Sequence, residues 1–344
     1  MNQYLSDKIK VLSFFSIIFV LYIHSGFHDY PHEIQGMPFN HYLQNFISEM
    51  IGRCAVPLFF AISGYLFFMK VEKGIKSIFT KMKKRVRTLL IPYVVAALFF
   101  PLFFMLIQII PGTAKFINGG VDFSGMSIWE IIVSVFFDNG GGSPMAFQLW
   151  FLRDLIMIVA ISPIIYWARK YIHPVLIIFF LIALSVAFIE IRFFYSLFWF
   201  VLGSLFLVKC PKVGWWIHFA FLVLCLIELF VEGSWWTYLK IPIVAIGLVS
   251  IWNIYDMIVG KNFSLKNFPK LTLVCGFTFF IYLFHEPVLN IIRKVLVIPF
   301  GHNSFSFAFS YLLSPWVFIA VAIPIGLLFK KYLPCVYSFC TGNR

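Results

Sequence analysis

The chain has 344 residues, of which 61% are hydrophobic and only 12% are charged, and its mean hydropathy is +0.93. A soluble domain carries about 25% charged residues, so this composition excludes a soluble globular protein and indicates a membrane protein. The net charge of +13 would suit a nucleic-acid partner, but the distribution of the positive residues argues against one.

Apolar stretches long enough to cross a bilayer recur along the whole sequence. A membrane-spanning helix needs about 20 predominantly apolar residues. The sequence therefore predicts an all-α polytopic membrane protein of about ten transmembrane helices, with a single membrane-embedded domain over residues 1–344 and no separate soluble domain. The first span is interpreted as uncleaved, not as a signal peptide. The predicted spans are residues 9–27, 43–69, 89–110, 146–167, 174–190, 193–208, 215–231, 238–259, 271–292 and 309–329.

The positive residues fall mostly on one side of this predicted topology. With the N-terminus in the cytoplasm, twenty of the 27 Lys and Arg lie in cytoplasmic segments and five in outer segments. Cytoplasmic segments of membrane proteins carry such an excess. The pattern predicts that both termini are cytoplasmic and that the basic residues face a lipid bilayer, with no nucleic-acid partner.

Three strongly polar side chains interrupt the predicted spans: His24 in the first, Arg53 in the second and Arg153 in the fourth. An arginine near the centre of a bilayer costs about 3 kcal/mol on insertion scales, so it is usually retained for a partner or a function. In the predicted topology all three lie toward the outer half of the membrane. They indicate a polar pocket within a hydrophobic bundle.

Two spans carry further polar groups at helical spacing, where residues three and four positions apart share a face. These groups are Trp150, Arg153 and Asp154 in the fourth span, and Tyr282, His285 and Glu286 in the ninth. Pro57 and Pro287 remove backbone donors close to Arg53 and His285. Irregular backbone at membrane depth is tolerated where it lines a cavity, which fits a binding pocket.

Each polar group also has a structural interpretation. Arg53 could pair with Glu49 one turn away, and His285 with Glu286 could tie helices together. Taken together, however, ionisable groups at similar depth on four helices favour a site.

The residue types in this set indicate acyl or phosphoryl transfer. Histidine is suited to move a proton near neutral pH, and arginine can hold a phosphate or a developing oxyanion. The spans carry too few carboxylates and histidines for metal-dependent hydrolysis, although His28 and His32 of the first outer loop have the spacing of metal ligands. Transfer without a metal, with His24 as the base, is the chemistry predicted.

Several motifs, in this order, resemble the type 3 acyltransferases, integral membrane enzymes that acylate sugars and glycans outside the cytoplasm. The resemblance covers most of the chain and agrees with ten spans. The motifs are Ile17–Ser25, Arg53–Phe67 with Val-Pro-Leu-Phe-Phe-Ala-Ile-Ser-Gly-Tyr-Leu, Arg85–Tyr93, Leu149–Leu155, and Phe277–Pro287 with Tyr-Leu-Phe-His-Glu-Pro.

The resemblance implies acyl-CoA, acetyl-CoA by default, as a co-substrate, with no bound cofactor, and a sugar or glycan as acceptor. It implies that His24 is catalytic, with Arg53 or Arg153 at the oxyanion, in the cytoplasmic membrane of a bacterium. Family members usually have an arginine eleven residues before this histidine. Here that position is Ser13, and Lys10 is the residue expected to replace the arginine in contacting the donor.

The remaining predicted site residues bind donor or acceptor. Arg85 and Arg87 are expected to hold phosphates of the donor, although topology alone also explains basic residues there. Trp150, Asp154, Tyr282, His285 and Glu286 are expected to bind substrate. Two other interpretations stay open: an exporter or flippase of a glycan or lipid-linked sugar, and a structural subunit of a glycan-assembly complex.

Overall fold

The computed structural model describes residues 1–27, 37–69, 71, 74–110, 122–230, 236–260 and 263–342. Within these ranges no strand occurs and the regular elements are helical, which confirms the all-α prediction. The main helices, numbered in chain order, are α1 (Gln3–Ser25), α2 (Pro38–Phe68), α3 (Ile75–Leu106), α4 (Ile128–Phe136), α5 (Phe147–Ala160), α6 (Ser162–Tyr171), α7 (Pro174–Ala187), α8 (Arg192–Lys209), α9 (Trp215–Glu228), α10 (Trp236–Ile258), α11 (Pro269–Gly276), α12 (Thr278–Phe284), α13 (Val288–Val297), α14 (Ser304–Tyr332) and α15 (Pro334–Thr341).

Six of the described helices are long and apolar enough to cross a membrane, and the bent pair α5–α6 raises the number to seven if it counts as one span. The chain is therefore a multi-pass membrane protein. The six are α1, α2, α3, α8, α14 and residues Leu239–Ile258 of α10. Helices α7 and α9 are apolar but shorter. The count of ten spans and the cytoplasmic position of the termini stay predictions.

Two predicted spans are interrupted helices in the structure. The fourth bends by 58° between α5 and α6, where Pro163 lies in the first turn of α6. The ninth, predicted over 271–292, consists of the three short helices α11, α12 and α13. Proline cannot donate a backbone hydrogen bond, so α12 ends before Pro287 and α13 begins after it.

The chain divides into two compact units. The first comprises Met1–Phe59 and Phe206–Pro324, and the second Phe60–Leu205 and Ile325–Arg344. The prediction of one domain over residues 1–344 stays a prediction.

In the first unit, α1 is held at both of its ends. A buried cluster of Phe27, Val297, Phe307 and Tyr311 packs beside the end that carries His24. At the other end Lys8, which directly precedes the first predicted span, is only 2% exposed. Its Nζ donates to Asp256 Oδ2 at 2.8 Å and lies 4.1 Å from the centre of the Trp252 ring.

In the second unit, α2 and α8 pack backbone against backbone. A methyl group on Gly64 would overlap the carbonyl of Phe200, and one on Gly203 would overlap the backbone of Ala61. Small residues allow such close approach between membrane helices. These contacts fix the position of α8, whose first turns face the polar groups of α5.

Candidate active site

His24 lies in the last turn of α1, and the backbone after it is anchored by side chains of the first unit. The guanidinium of Arg293, itself only 3% exposed, donates through Nη1 to the carbonyl of Gly26. The backbone N–H of Phe27 donates to Gln44 Oε1 at 3.0 Å. Carbonyls at the C-terminal end of a helix have no partner within the helix. The bond from Arg293 supplies such a partner at the end of α1.

The last turn of α1 also contacts two neighbouring helices. Ser48 of α2 donates to the carbonyl of Tyr22 at 2.9 Å, and Ser314 of α14 donates to Ser25 Oγ at 3.1 Å. Both serines are buried. The backbone on either side of His24 is therefore held, while its half-buried side chain has access to the surroundings of the helix end.

His285 lies directly beside His24. The ring centroids are 4.9 Å apart with an interplanar angle of 43°. His285 is fully buried, and its Nδ1 is 2.7 Å from the backbone carbonyl of Tyr282. Because a carbonyl oxygen only accepts, Nδ1 carries the proton in this bond. Nε2 has no hydrogen-bond partner among the residues that the structure describes.

Tyr282 and Glu286, predicted to share a face with His285, are both buried in the first unit. The Tyr282 ring centroid is 6.3 Å from that of His285. The structure thus brings the predicted residues of the ninth span to the end of α12, beside the end of α1. Their roles as substrate-binding residues stay predictions.

Arg53 forms a buried ion pair that the sequence interpretation did not anticipate. Its Nη1 donates to Glu228 Oε1 at the end of α9, whereas Glu49, the partner considered from the sequence, is 3.9 Å away and half-exposed. The signal for Glu228 was present in the sequence, because an acidic residue inside an apolar stretch usually marks a function or a partner. Glu228 Oε2 is buried without a hydrogen-bond partner among the described residues.

A close helix contact brings Arg53 toward His24. Gly52 packs against Ile23, where an added methyl group would lie 3.3 Å from the Ile23 side chain. The backbone around this point leaves the regular α-helix, with a π-helical stretch over Asn45–Ile51 and a 3₁₀ turn over Gly52–Cys54. Such departures from α geometry often accompany functional sites. Arg53 directly follows Gly52 and His24 directly follows Ile23, so this contact brings together the two segments that carry them.

Lys10, the predicted substitute for the family arginine, lies on an exposed position of α1. It is 14 residues before His24, which corresponds to about 21 Å along a helix. Lys10 therefore belongs to the opposite end of α1 from the two histidines.

Arg153 and Asp154 pair with each other in the second unit. Arg153 Nε and Nη2 donate to Asp154 Oδ1 at 3.0 and 2.7 Å, and Ser196 of α8 donates to Asp154 Oδ2 at 2.8 Å. Arg153 Nη1 donates to the carbonyl of Phe137 at 2.5 Å. Asp154 is fully buried. Ser196, which sequence reasoning missed, completes the partners of this carboxylate.

The ring of Trp150 contacts the cationic side chain of Arg192, which lies on a different helix. The Arg192 guanidinium lies 4.6 Å from the centre of the Trp150 ring and donates to Ser143 Oγ at 3.1 Å. The indole face is thus occupied by a cation–π contact. Ser143 belongs to the glycine-rich loop before α5.

Arg85 and Arg87 line different cavities of the second unit. Half-buried Arg85 borders a cavity of about 220 Å³ with Leu89, Ile156 and Val159 in its wall. Exposed Arg87 borders one of about 250 Å³ with Cys335 and Ser338. Residues two positions apart on a helix do not face each other, which explains the divergence.

His28 and His32, considered as metal ligands, lie outside the described residues. Within the described part of the chain, no group of three or more His, Cys, Asp and Glu is placed to hold a metal ion.

The comparisons with known proteins identify the family of the chain. The family model of the type 3 acyltransferases, described as "Acyltransferase domain", matches residues 7–330. No curated protein matches the chain, and no solved structure matches it. The matched range includes His24, Arg53, Arg153 and His285, so the protein belongs to the type 3 acyltransferase family.

Proposed function

We propose that this membrane acyltransferase moves an acyl group, acetyl by default, from cytoplasmic acyl-CoA to a hydroxyl of an extracytoplasmic sugar or glycan. The proposal places it in the cytoplasmic membrane of a bacterium. The observation that carries the proposal is the half-buried His24 at the anchored end of α1, beside His285 and one residue from the Ile23–Gly52 contact. The family match supplies the reaction class.

His24 would act as the general base. It takes the proton of the acceptor hydroxyl as that oxygen attacks the thioester carbonyl, and Arg53 or Arg153 stabilises the oxyanion. The C–S bond then breaks, and the proton passes from His24 to the CoA thiolate. A transient acyl-histidine is the alternative route, in which His24 is the nucleophile.

For the donor, the cavity beside Arg85 is the best supported binding place. Its wall combines apolar side chains with the partly desolvated guanidinium of Arg85. Such a wall suits a phosphate group of CoA and the less polar pantetheine arm that follows it. Arg87 borders a separate cavity, so it would meet a different phosphate of the donor. Trp150 and Asp154 in the second unit, and Tyr282 and Glu286 in the first, stay the proposed substrate-binding residues.

The test uses inside-out membrane vesicles and acetyl-CoA labelled on the acetyl group. Transfer of label to glycan or lipid-linked sugar is compared for the parent chain, His24→Ala and the control His173→Ala, at matched protein levels. His173 is an exposed histidine that caps α7. We expect a loss on the order of 10²- to 10⁴-fold for His24→Ala, the range of general-base catalysis, and none for the control.

Equal transfer by the parent and by His24→Ala would remove His24 from the chemistry. An absence of transfer by the parent, with acceptor still exported, would instead support the exporter or flippase. If the parent chain neither transfers acetyl nor exports acceptor, and its removal abolishes glycan assembly, the result would support a structural subunit.

A further inference from the structure

The buried ring of His285 has a feature that its predicted role in substrate binding does not use. A neutral imidazole has one donor nitrogen and one acceptor nitrogen. The bond from Nδ1 to the Tyr282 carbonyl fixes which is which. Nε2 is then the acceptor, and it lies fully buried without a partner among the described residues.

The ring of His24 lies beside the ring that carries this acceptor. The two rings are in contact at a centroid distance of 4.9 Å. The second dihedral angle of a histidine side chain is broad, so a rotation of the His24 ring can direct one N–H at Nε2. Buried acceptors are rarely left unpaired, which favours this arrangement.

We infer that His285 is a positioning residue for His24: its Nε2 accepts an N–H of the His24 ring and so fixes the tautomer in which the other His24 nitrogen is the one that takes a proton. This inference rests on the proposed function. His285 touches no reacting atom, and its Nδ1–H cannot pass to the Tyr282 carbonyl, so no proton is relayed through it.

The surrounding structure holds the backbone around His24 and the ring of His285. The end of α1 is held by Arg293, Ser48 and Ser314, and the His285 ring is held by the Tyr282 carbonyl. Functional side chains work best when neighbouring groups lock their orientation. In hydrolase triads a carboxylate accepts a hydrogen bond from the catalytic histidine and so orients it. Here the second imidazole, that of His285, would accept this hydrogen bond.

Two amide substitutions separate this role from a purely structural one. In His285→Asn the side-chain amide replaces Nδ1–H and keeps the donor to Tyr282, but the acceptor at the Nε2 position is lost. In His285→Gln the amide oxygen reaches the Nε2 position and keeps the acceptor, but the donor to Tyr282 is lost. A positioning role predicts that acetyl transfer is lost in His285→Asn and kept in His285→Gln. A structural role predicts the reverse.

The first measurement is acetyl transfer in the vesicle assay at saturating donor. We expect kcat to fall on the order of 10- to 100-fold in His285→Asn, as when orienting partners of functional histidines are removed. His285→Gln should recover most of it. In a His24→Ala background, His285→Asn should cause no further loss, because it acts only through His24. Equal losses in both amide variants, or retained kcat in His285→Asn, would overturn the inference.

The second measurement does not depend on the donor or the acceptor. Nitrogen-15 spectra of histidine-labelled protein in detergent report which His24 nitrogen carries the proton, with His24→Gln identifying its signals. We expect a single tautomer in the parent and in His285→Gln, and a mixture in His285→Asn. Unchanged His24 signals in His285→Asn would overturn the inference. If the parent transfers no acetyl group, the proposed function fails while this measurement still decides the role of His285.

Discussion

Two sets of buried polar groups, one in each unit of the chain, are bonded to different extents. In the second unit, both oxygens of Asp154 are bonded, one to Arg153 and the other to Ser196. In the first unit, Glu228 Oε2 and His285 Nε2 are buried and unpaired among the described residues. A closed network of this kind stabilises a fold, whereas spare bonding capacity is what a substrate or a moving side chain needs. The comparison predicts that the first set contributes to stability in addition to any contact with substrate, and that the second set keeps bonding capacity for chemistry.

The largest expected effect tests the closed network through Asp154→Ala. This change leaves the Arg153 charge without its carboxylate, and breaking a buried pair typically costs about 3–5 kcal/mol. The free energy of unfolding, measured by denaturant titration of the detergent-solubilised protein, should fall by this amount. The double variant Arg153→Met, Asp154→Leu removes both charges and should recover most of the loss. An equal loss in the double variant would contradict the assignment.

A second substitution, Glu228→Gln, tests the open set. The amide keeps the shape of Glu228 but removes the charge opposite Arg53, and hydrogen bonds to charged groups contribute about 1.5–3 kcal/mol. We expect a smaller loss of stability than for Asp154→Ala, together with reduced acetyl transfer per folded molecule. The matched measurement is transfer in vesicles normalised to folded protein. Full transfer with reduced stability would show that the Arg53–Glu228 pair serves stability alone.

Ser196→Ala should have a moderate effect on stability alone. It leaves one buried oxygen of Asp154 without its hydroxyl donor, at a cost of about 1–2 kcal/mol. Ser204→Ala is the control on the same helix, because Ser204 bonds only to the backbone of Val201 through its hydroxyl. If both variants unfold at the same denaturant concentration, the hydroxyl of Ser196 contributes nothing to the closed network.

The smallest effect is expected for Asp138→Asn in the glycine loop next to Arg153. Desolvation acts to raise the pKa of Asp138, but the backbone N–H groups of Gly140, Gly141 and Gly142, with Arg153, outweigh it and hold the pKa below its ordinary value. The stabilisation is therefore present above the ordinary pKa of aspartate and is lost as the pH falls through the lowered one. Thermal unfolding between pH 6 and pH 3 should show a slightly weaker pH dependence in Asp138→Asn. The same pH dependence of thermal unfolding in the parent and in Asp138→Asn would show that the Asp138 charge does not stabilise the loop.

Sequence patterns predicted the helical class and most helix positions, because long apolar runs are a strong signal. The breaks were less predictable. Pro287 was recognised as a local interruption, but the division of 271–292 into three helices also places an end at Gly276, and packing decides whether a glycine ends a helix. The division of the chain into two compact units has no counterpart in the apolar pattern.

At the candidate site, sequence reasoning found the ionisable groups but not their partners. It placed His24 and His285 in one set, and the structure puts their rings in contact. The partners of Arg53 and Asp154 come from α9 and α8, distant in sequence, and helix periodicity relates only residues on the same helix. Arg293, which directly follows the ninth predicted span, is buried because its guanidinium donates to the carbonyl of Gly26.

The pair of Lys8 and Asp256 has a consequence for the synthesis of the protein. The two residues are 248 positions apart, and ribosomes add about 5–20 residues per second. Lys8 is therefore synthesised roughly 12–50 s before the carboxylate that it bonds. A chain that ends before Asp256 lacks the carboxylate that compensates this buried ammonium group.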